Sequence, residues 1–290
     1  MLSRRLFALV LATMPFAAPA FAKDDAKDYP NRSIKIIVPF APAGPTDIAA
    51  RFIAAKMSEN LKQQFYVENQ AGAGGNLGMG NAAKAPPDGY TILFVSSSYV
   101  VNPSLYDKVP YDPYKDFIPL TVAATAANVL LVNPNVLPMK SAKELAETLK
   151  ANPGKYSFAS AGTGTTPHLS GELFKLTYKL DIVHVPFRNS GLWQSEIIAG
   201  RIPISIPTFP AAMTLMRSGK VRCLAVTGSR RSPALPDLPT TSESGLPGYV
   251  ATSWYALLAP RGTNGAIIER IHRTFRAALE DPVTKKRLTE

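Results

Sequence analysis

Ile34, Ile36, Ile37 and Val38 make a short apolar run that stops at a Pro/Ala/Gly cluster over 39–45, which predicts a buried strand ending at a turn. A helix follows at once. Thr46 suits its N-cap and Asp47 the positive end of its dipole, while Ile48, Phe52 and Ala55 recur at helical spacing with Arg51 and Lys56 outward. Such a unit leaves free backbone N–H groups beyond the strand's carboxyl end, where an anion is favoured. A second unit occupies 155–177. Thr166 caps its helix, Pro167 takes the first helical position, and Leu169, Leu173 and Leu176 form the apolar stripe. The two units, one per half of the chain, predict loops that face one another across a cleft.

The remaining pattern alternates in the same way. Strands are expected over 65–69, 90–95, 181–185, 202–206 (interrupted by Pro203) and 221–227, and helices over 77–84, 141–150, 192–200 and 210–218. Leu145 and Leu149 mark the buried side of the 141–150 helix. The closing helix over 266–279 carries Ile267, Ile271, Phe275 and Leu279 on one face and should pack back on the first half. Apolar runs over 117–122 and 129–132 flank small residues and read as a strand crossing between halves, with the return at 254–258. The class is therefore α/β. Residues 23–124 with 252–290 are expected to form lobe one, and 125–251 lobe two.

Residues 1–22 read as an export signal: Arg4 and Arg5, an apolar run over 6–16 too short to span a bilayer, and Ala20-Phe21-Ala22 for cleavage after Ala22. Sec and twin-arginine export both remain open, since Arg4-Arg5 fits either. Removing this leader lowers the formal net charge from +11 to +9. The basic residues are interspersed apart from Arg230-Arg231 and Lys285-Lys286-Arg287, and no basic stripe with stacking aromatics is present, which argues against nucleic acid. Mild attraction of anions suits the excess better. Cys223 is the single cysteine, so no internal disulfide forms, and its apolar neighbours give it a buried, small-residue role.

Candidate chemistry narrows quickly. The glycine-rich segment 71–80 lacks a dinucleotide fingerprint, because Leu77 stands where a third glycine belongs and 78–83 does not follow a strand; a turn into a helix is the alternative. Ser96, Ser97 and Ser98 end a strand, as a third ligand-facing loop or a plain solvated turn. An enzyme would need a nucleophile with a base, or metal ligands. There are three histidines and no Gly-x-Ser-x-Gly, and the helical pair His168 and Glu172 lacks a third ligand. His168 bonds locally or lines the cleft, His184 is a satisfied strand residue, and His272 faces outward. No cofactor, metal or catalytic residue is expected.

The stretches VPFAPAGPTDIAAR (38–51), AGAGGNLG (71–78), PDGYT (87–91), GTGTTPHLSGELF (162–174) and LAVT (224–227) resemble, in order and spacing, the tripartite tricarboxylate transporter receptor or Bug family. The resemblance covers essentially the whole mature chain. It implies a two-lobed periplasmic binding protein-like fold (type II), its lobes joined by crossing strands. It implies also a monomeric periplasmic protein that closes on a small carboxylate and delivers it to the membrane subunits of a secondary transporter. A sensor of the same fold signalling to a membrane partner, or a hydrolase acting on a small acid, are the alternatives. Carried over residue by residue, it points to Phe40, Ala41, Pro42, Ala43, Gly44 and Asp47, with Ser96 and Ser97 nearby, and to Ser160, Ala161, Gly162, Gly164, Thr165 and His168 in lobe two.

Departures from the family pattern shape the expected ligand. Pro45 stiffens a turn that is commonly glycine-rich, Trp193 follows a turn Arg188-Asn189-Ser190-Gly191, and no acidic residue stands in 204–208. An amino acid, whose ammonium wants a carboxylate partner, is disfavoured. Arg188 is read as a partner for a second carboxylate or as an exposed surface arginine. Phe40, Tyr99, Phe187 and Trp193 enclose an aromatic ring or support the rim. The chain ends at Glu290, before the family's usual closing helices, which reads as a fragment or a thinner lobe one.

Overall fold

The computed structural model describes residues 28–289, so the expected leader over 1–22 lies outside the described residues. In chain order the first half contains β1 (Ile34–Val38), α1 (Pro45–Leu61), β2 (Phe65–Asn69), α2 (Asn76–Ala83), β3 (Thr91–Ser96), α3 (Ser98–Leu105) and β4 (Phe117–Ala127). Then come β5 (Val129–Val132), α4 (Ala142–Ala151), β6 (Ser157–Ser160), α5 (Thr166–Tyr178), β7 (Val183–Pro186), α6 (Ser190–Ala199), β8 (Ile204–Ser205), α7 (Phe209–Arg217) and β9 (Arg222–Val226). The chain closes with β10 (Thr252–Pro260), α8 (Gly265–Glu280) and α9 (Pro282–Thr289). No helix among the described residues is long and apolar enough to cross a membrane.

Two sheets carry the two lobes. One has the order β2-β1-β3-β10-β4, with β1 parallel to β2 and β3 and with β10 antiparallel to β3 and β4. The other has the order β7-β6-β8-β5-β9, with β6 parallel to β7 and β8. Both are covered on two faces, which is why their strands are continuous apolar runs. Successive residues go to opposite cores: Ile36 meets Ile53, Ile271 and Phe275, while Ile37 joins Met79, Leu93 and Leu258. In the second sheet Leu130 and Val132 pack with Leu145, Phe158 and Phe174, and Val129 and Leu131 with Trp193 and Ile197.

The chain passes between sheets at Asn128 and again between Thr227 and Ala251, and these passes are tied together. Asn128 N–H donates to Ala251 O at 3.3 Å, Ala251 N–H to Thr227 O at 2.9 Å, and Thr227 N–H to Asn128 O at 2.9 Å. Asn128 and Thr227 are fully buried, so the junction is a hydrogen-bonded seam rather than a loose linker.

Most expected elements appear within a residue or two, but two helix faces are corrected. Helix α1 buries Ala49, Ala50, Ile53, Ala54 and Met57, and leaves Ile48 and Ala55 exposed. Helix α5 buries Ser170, Gly171 and Phe174 and leaves Leu173 and Leu176 exposed, the latter at 77%. Close approach explains the second case. A Cβ on Gly171 would lie 2.1 Å from Phe158 Cε2, so glycine lets the helix rest on that ring, and Tyr249 Oη donates to Ser170 O at 2.9 Å. The caps also shift: Gly44 and Thr165, not Thr46 and Thr166, are the N-caps of α1 and α5. Helix α8 keeps its expected face, with Ile267, Ile271 and Phe275 buried against α1 and the sheet, and Leu279 partly buried beside them. Cys223 packs partly buried beside the Trp193 cluster, where burial pushes its thiol up to about 12.

Candidate functional site

A strand that ends in a turn and feeds a helix aims that helix's N-terminus past the strand's carboxyl end. This chain does so at β1–α1, β3–α3, β6–α5, β7–α6 and β8–α7, and all five helix starts line one cavity of about 500 Å³ between the lobes. That volume lies within the usual range of about 300–1,000 Å³ for small-molecule sites. At α1 the N-cap is Gly44, which has no side chain, and at α3, α5 and α7 the N-cap side chain accepts no hydrogen bond from the helix, so these first turns lack a side-chain cap, with Pro45, Pro167 and Pro210 in them carrying no N–H. At α6 the cap is made, with Leu192 N–H donating to Asn189 Oδ1 at 3.1 Å. Each start contributes about half a positive charge. The lining holds no Asp, Glu or Lys, and Arg188 is its one charged side chain among the described residues.

The walls are mixed. Phe40, Ala41, Pro42, Gly44 and Thr46 come from the α1 turn, Ala71 to Gly75 from the loop after β2, and Ser96 and Ser98 from the end of β3. Lobe two supplies Ala161, Gly162, Thr165 and Thr166, then Phe187, Arg188 and Trp193, then Thr208 and Ala211. Tyr255 of β10 lies at the floor, its hydroxyl flanked by Thr208 and Ser253 and pushed up to about 12 by burial. The hydroxyls of Thr166 and Ser253 stand 3.0 Å apart, with Ser97 3.5 Å from each.

Of the residues singled out from the sequence, Phe40, Ala41, Pro42, Gly44, Ser96, Ala161, Gly162, Thr165 and Arg188 line this cavity. Ala43, Asp47, Ser97, Ser160, Gly164 and His168 do not: Asp47, Ser160, Gly164 and His168 are buried, Ser97 is half-buried and Ala43 is exposed. Asp47 is 2% exposed. Its carboxylate accepts from Ala43 N–H at 2.9 Å, Asn69 Nδ2 at 2.9 Å and Arg51 Nε at 3.0 Å, which holds the α1 turn with Ala43 in a left-handed conformation. Burial works to raise the Asp47 pKa, but the hydrogen bonds from Arg51, Asn69 and Ala43 outweigh it and hold the carboxyl below its ordinary value.

The lobe-two loop has a matching support. Ser160 Oγ accepts from Gly162 N–H at 3.1 Å and lies 2.7 Å from His184 Nε2, while His168 Nδ1 accepts from Gly164 N–H at 3.2 Å. The two imidazoles pack with centroids 4.2 Å apart. Burial lowers both pKa values, that of His184 to about 4 with His168 adding to the effect, so both rings are neutral near pH 7. No group of three or more His, Cys, Asp or Glu among the described residues is placed to hold a metal.

The lobes also touch at one side of the cleft. Tyr106 Oη donates to Thr163 O at 3.0 Å, and Asn102 of α3 faces Gly164. Sequence reasoning passed over Tyr255 and the 71–75 loop as wall residues, and reached Thr208 only as part of the segment 204–208 expected near the ligand. Thr208 had a legible signal, being the residue before a helix that opens with Phe209-Pro210 after a strand. Tyr255 had none, because only the pairing of β10 with β3 carries it to the floor.

Comparison with known proteins agrees with this architecture. A sequence profile described as "Tripartite tricarboxylate transporter family receptor" matches residues 49–290. Protein BugT of Bordetella pertussis is 38% identical over 281 residues, covering 95% of this chain and 85% of BugT. The solved R. palustris protein Rpa4515 with adipate is 36% identical with a TM-score of 0.86, over 90% of this chain and 88% of that one. MatC of Rhodopseudomonas palustris, with bound malate, is 33% identical with a TM-score of 0.82, over 89% and 88%. With a family profile over most of its length and relatives of this identity, the chain belongs to the tripartite tricarboxylate transporter receptor family.

Proposed function

We propose that this chain is an exported receptor that captures a small carboxylate between its lobes and hands it to the membrane subunits of a secondary transporter. The carrying observation is the convergence of five helix starts, four without a side-chain cap, on a cavity with no acidic lining residue. Oriented N–H groups favour an anion there without a buried counter-charge. The adipate and malate held by the two solved relatives are small carboxylates and support the same reading.

The acid enters the open cleft, and its carboxylate accepts hydrogen bonds from the α1 turn (Phe40 to Thr46) and from Ser96. Lobe two then closes, bringing Ala161, Gly162 and Thr165 onto the same group. Asp47, Asn69, Ser160 and His168 keep the two turns in shape without touching the acid. The protein binds and releases its solute unchanged, as a monomer in the periplasm after loss of residues 1–22.

A thermal-shift screen of small acids on the mature protein, followed by calorimetric titration of the hits, tests this. The expected result is one acid bound per chain, no binding of zwitterionic amino acids, and an unaltered acid in solution by NMR. Failure of every acid to bind, or consumption of the bound acid, would refute it.

A further inference from the structure

His168 and His184 are not in the cavity lining, yet their hydrogen bonds hold the 160–165 turn, whose Ala161, Gly162 and Thr165 are. His168 Nδ1 accepts from Gly164 N–H, which puts the proton of the neutral ring on Nε2. A ring protonated on both nitrogens has no lone pair left to accept with, so this hydrogen bond exists only with the neutral ring. The other link behaves differently. The Ser160 hydroxyl stands 2.7 Å from His184 Nε2 and can give or take the hydrogen there, so a proton on His184 leaves it intact. Sensitivity to acid is thereby concentrated at His168.

The turn that His168 holds is also the one that meets lobe one. Tyr106 Oη donates to Thr163 O at 3.0 Å, and Gly164 packs so closely on Asn102 that a Cβ would lie 2.5 Å from its Oδ1. Ligand wall, lobe contact and imidazole partner thus share the stretch 162–165. The ring's surroundings oppose a positive charge while the lobes are closed. His168 is 7% exposed, lies in the first turn of α5 at the positive end of the helix dipole, and packs on the His184 ring with centroids 4.2 Å apart. Glu172 and Lys175, the charged side chains that act on it from α5, pair with each other at 3.0 Å. From β7 comes His184, and from β6 come Phe158 and Ser160, which carry no charge. Burial leads in holding the His168 pKa below its ordinary value, with Glu172 opposing and Lys175 adding. In the open form the turn leaves lobe one and the ring regains water, so a proton is taken up more readily there. A carboxylate in the cleft favours the charged ring, but its charge is already met by the N–H groups that hold it, which leaves the lost acceptor as the larger effect.

We propose that His168 is a proton-sensitive lock on the cleft: its neutral ring holds the 162–165 turn onto the acid, and protonation frees the turn and releases the acid. This rests on the carboxylate reading above. His168 is a positioning residue, acting through Gly164 and not on the acid itself. Binding is complete above the ordinary imidazole value of about 6.5 and weakens as the pH falls below it.

The test is calorimetric titration of the mature protein with malate and with adipate at about pH 8 and about pH 5.5, on either side of the ordinary imidazole value. Wild type and His168→Asn are compared, because Asn Oδ1 can stand in for Nδ1 as acceptor and does not titrate. Protonation of the acid is common to both proteins, so the change in Kd across the pH range is read for each and the two changes are compared. Wild type should weaken about three- to tenfold more than His168→Asn, tenfold per pH unit being the most that one proton gives. On ligand-free wild type, NMR should show the Gly164 amide shifting with the same midpoint as the His168 ring, a reading that stands whether or not His168→Asn folds. An equal change in the two proteins, tighter binding by wild type in acid, or a Gly164 amide that stays in place while the ring titrates would overturn the lock and leave the carboxylate site standing. If neither these acids nor any hit of the acid screen binds at about pH 8, the carboxylate reading fails, and this inference with it.

Discussion

Gly164 is where closure of the lobes can be tested with a single methyl group. Its φ is +82°, and a Cβ there would lie 2.5 Å from Asn102 Oδ1 and 3.3 Å from Tyr106 Cε2, both on the opposite lobe. Asn102 is poorly placed to yield. It is fully buried, and its Nδ2 donates to Gly74 O at 3.0 Å and to Asn76 Oδ1 at 2.8 Å. Gly164→Ala therefore has two separable costs. The left-handed backbone costs about 1–2 kcal/mol in the open and closed forms alike and shows in the melting temperature of the free protein. The clash costs about 1–3 kcal/mol, the usual size of overpacking, and is felt only when the lobes meet. Binding that requires closure must overcome the second cost, so Kd should rise about 5- to 150-fold. Calorimetry with the tightest acid measures this, and small-angle scattering at saturation reports whether the lobes still close. Asn102→Ala removes the obstacle, so the double variant should bind no worse than Asn102→Ala alone. Wild-type affinity in Gly164→Ala, or a double variant as weak as the two single losses added, would refute the steric account.

Other expectations follow from single contacts. Tyr106→Phe removes the hydroxyl that donates to Thr163 O at 3.0 Å, and a net loss of about 0.5–1.5 kcal/mol should weaken acid binding about two- to tenfold by calorimetry, with the free protein's melting temperature unchanged. His184 has its pKa lowered to about 4 by burial and by His168, so the neutral ring is favoured by folding. Its contribution is present in full above its unfolded value of about 6.5 and is lost as the pH falls from there through about 4. The shift would be worth about 3 kcal/mol if undiscounted, and with partial exposure on the order of 1–2 kcal/mol. Melting curves between these pH values should slope less steeply for His184→Gln than for wild type, and equal slopes would contradict the assignment. Gly171→Ala sets helix propensity, about 1 kcal/mol in favour of alanine, against a Cβ placed 2.1 Å from the buried Phe158 ring. Packing should win with a net loss of about 1–2 kcal/mol, and a raised melting temperature would show the opposite.

Local grammar made much of this protein legible. Strand β2 falls over the residues expected for it, Ser141 accepts from Glu144 N–H at 3.2 Å as a capping serine should, and Leu145 and Leu149 are buried. The long run through β4 and β5 crosses between sheets, as its small residues suggested. These features depend on neighbours a few positions away. The inward faces of α1 and α5 do not. Apolar spacing favoured Ile48 and Leu176, yet close seating on the sheets required Ala50 and Gly171 there, and only the opposing surface makes that choice.

The cleft divides in the same way. Each strand-turn-helix start is written in consecutive residues, so the anion-favouring ends could be found at 39–47 and 160–168 without coordinates. That β3, β7 and β8 send three more helix starts to the same cavity depends on sheet order and on how the lobes close, both set by contacts between residues far apart in the chain. So does the placing of Asp47 and His168 behind the wall, where their hydrogen bonds are spent on the turns, and of Tyr255 at the floor. Sequence alone located the strand-turn-helix starts; tertiary structure decided which of their N–H groups are spent on Asp47, Ser160 and His168 and which starts share one space, because direction along a strand is local and convergence is not.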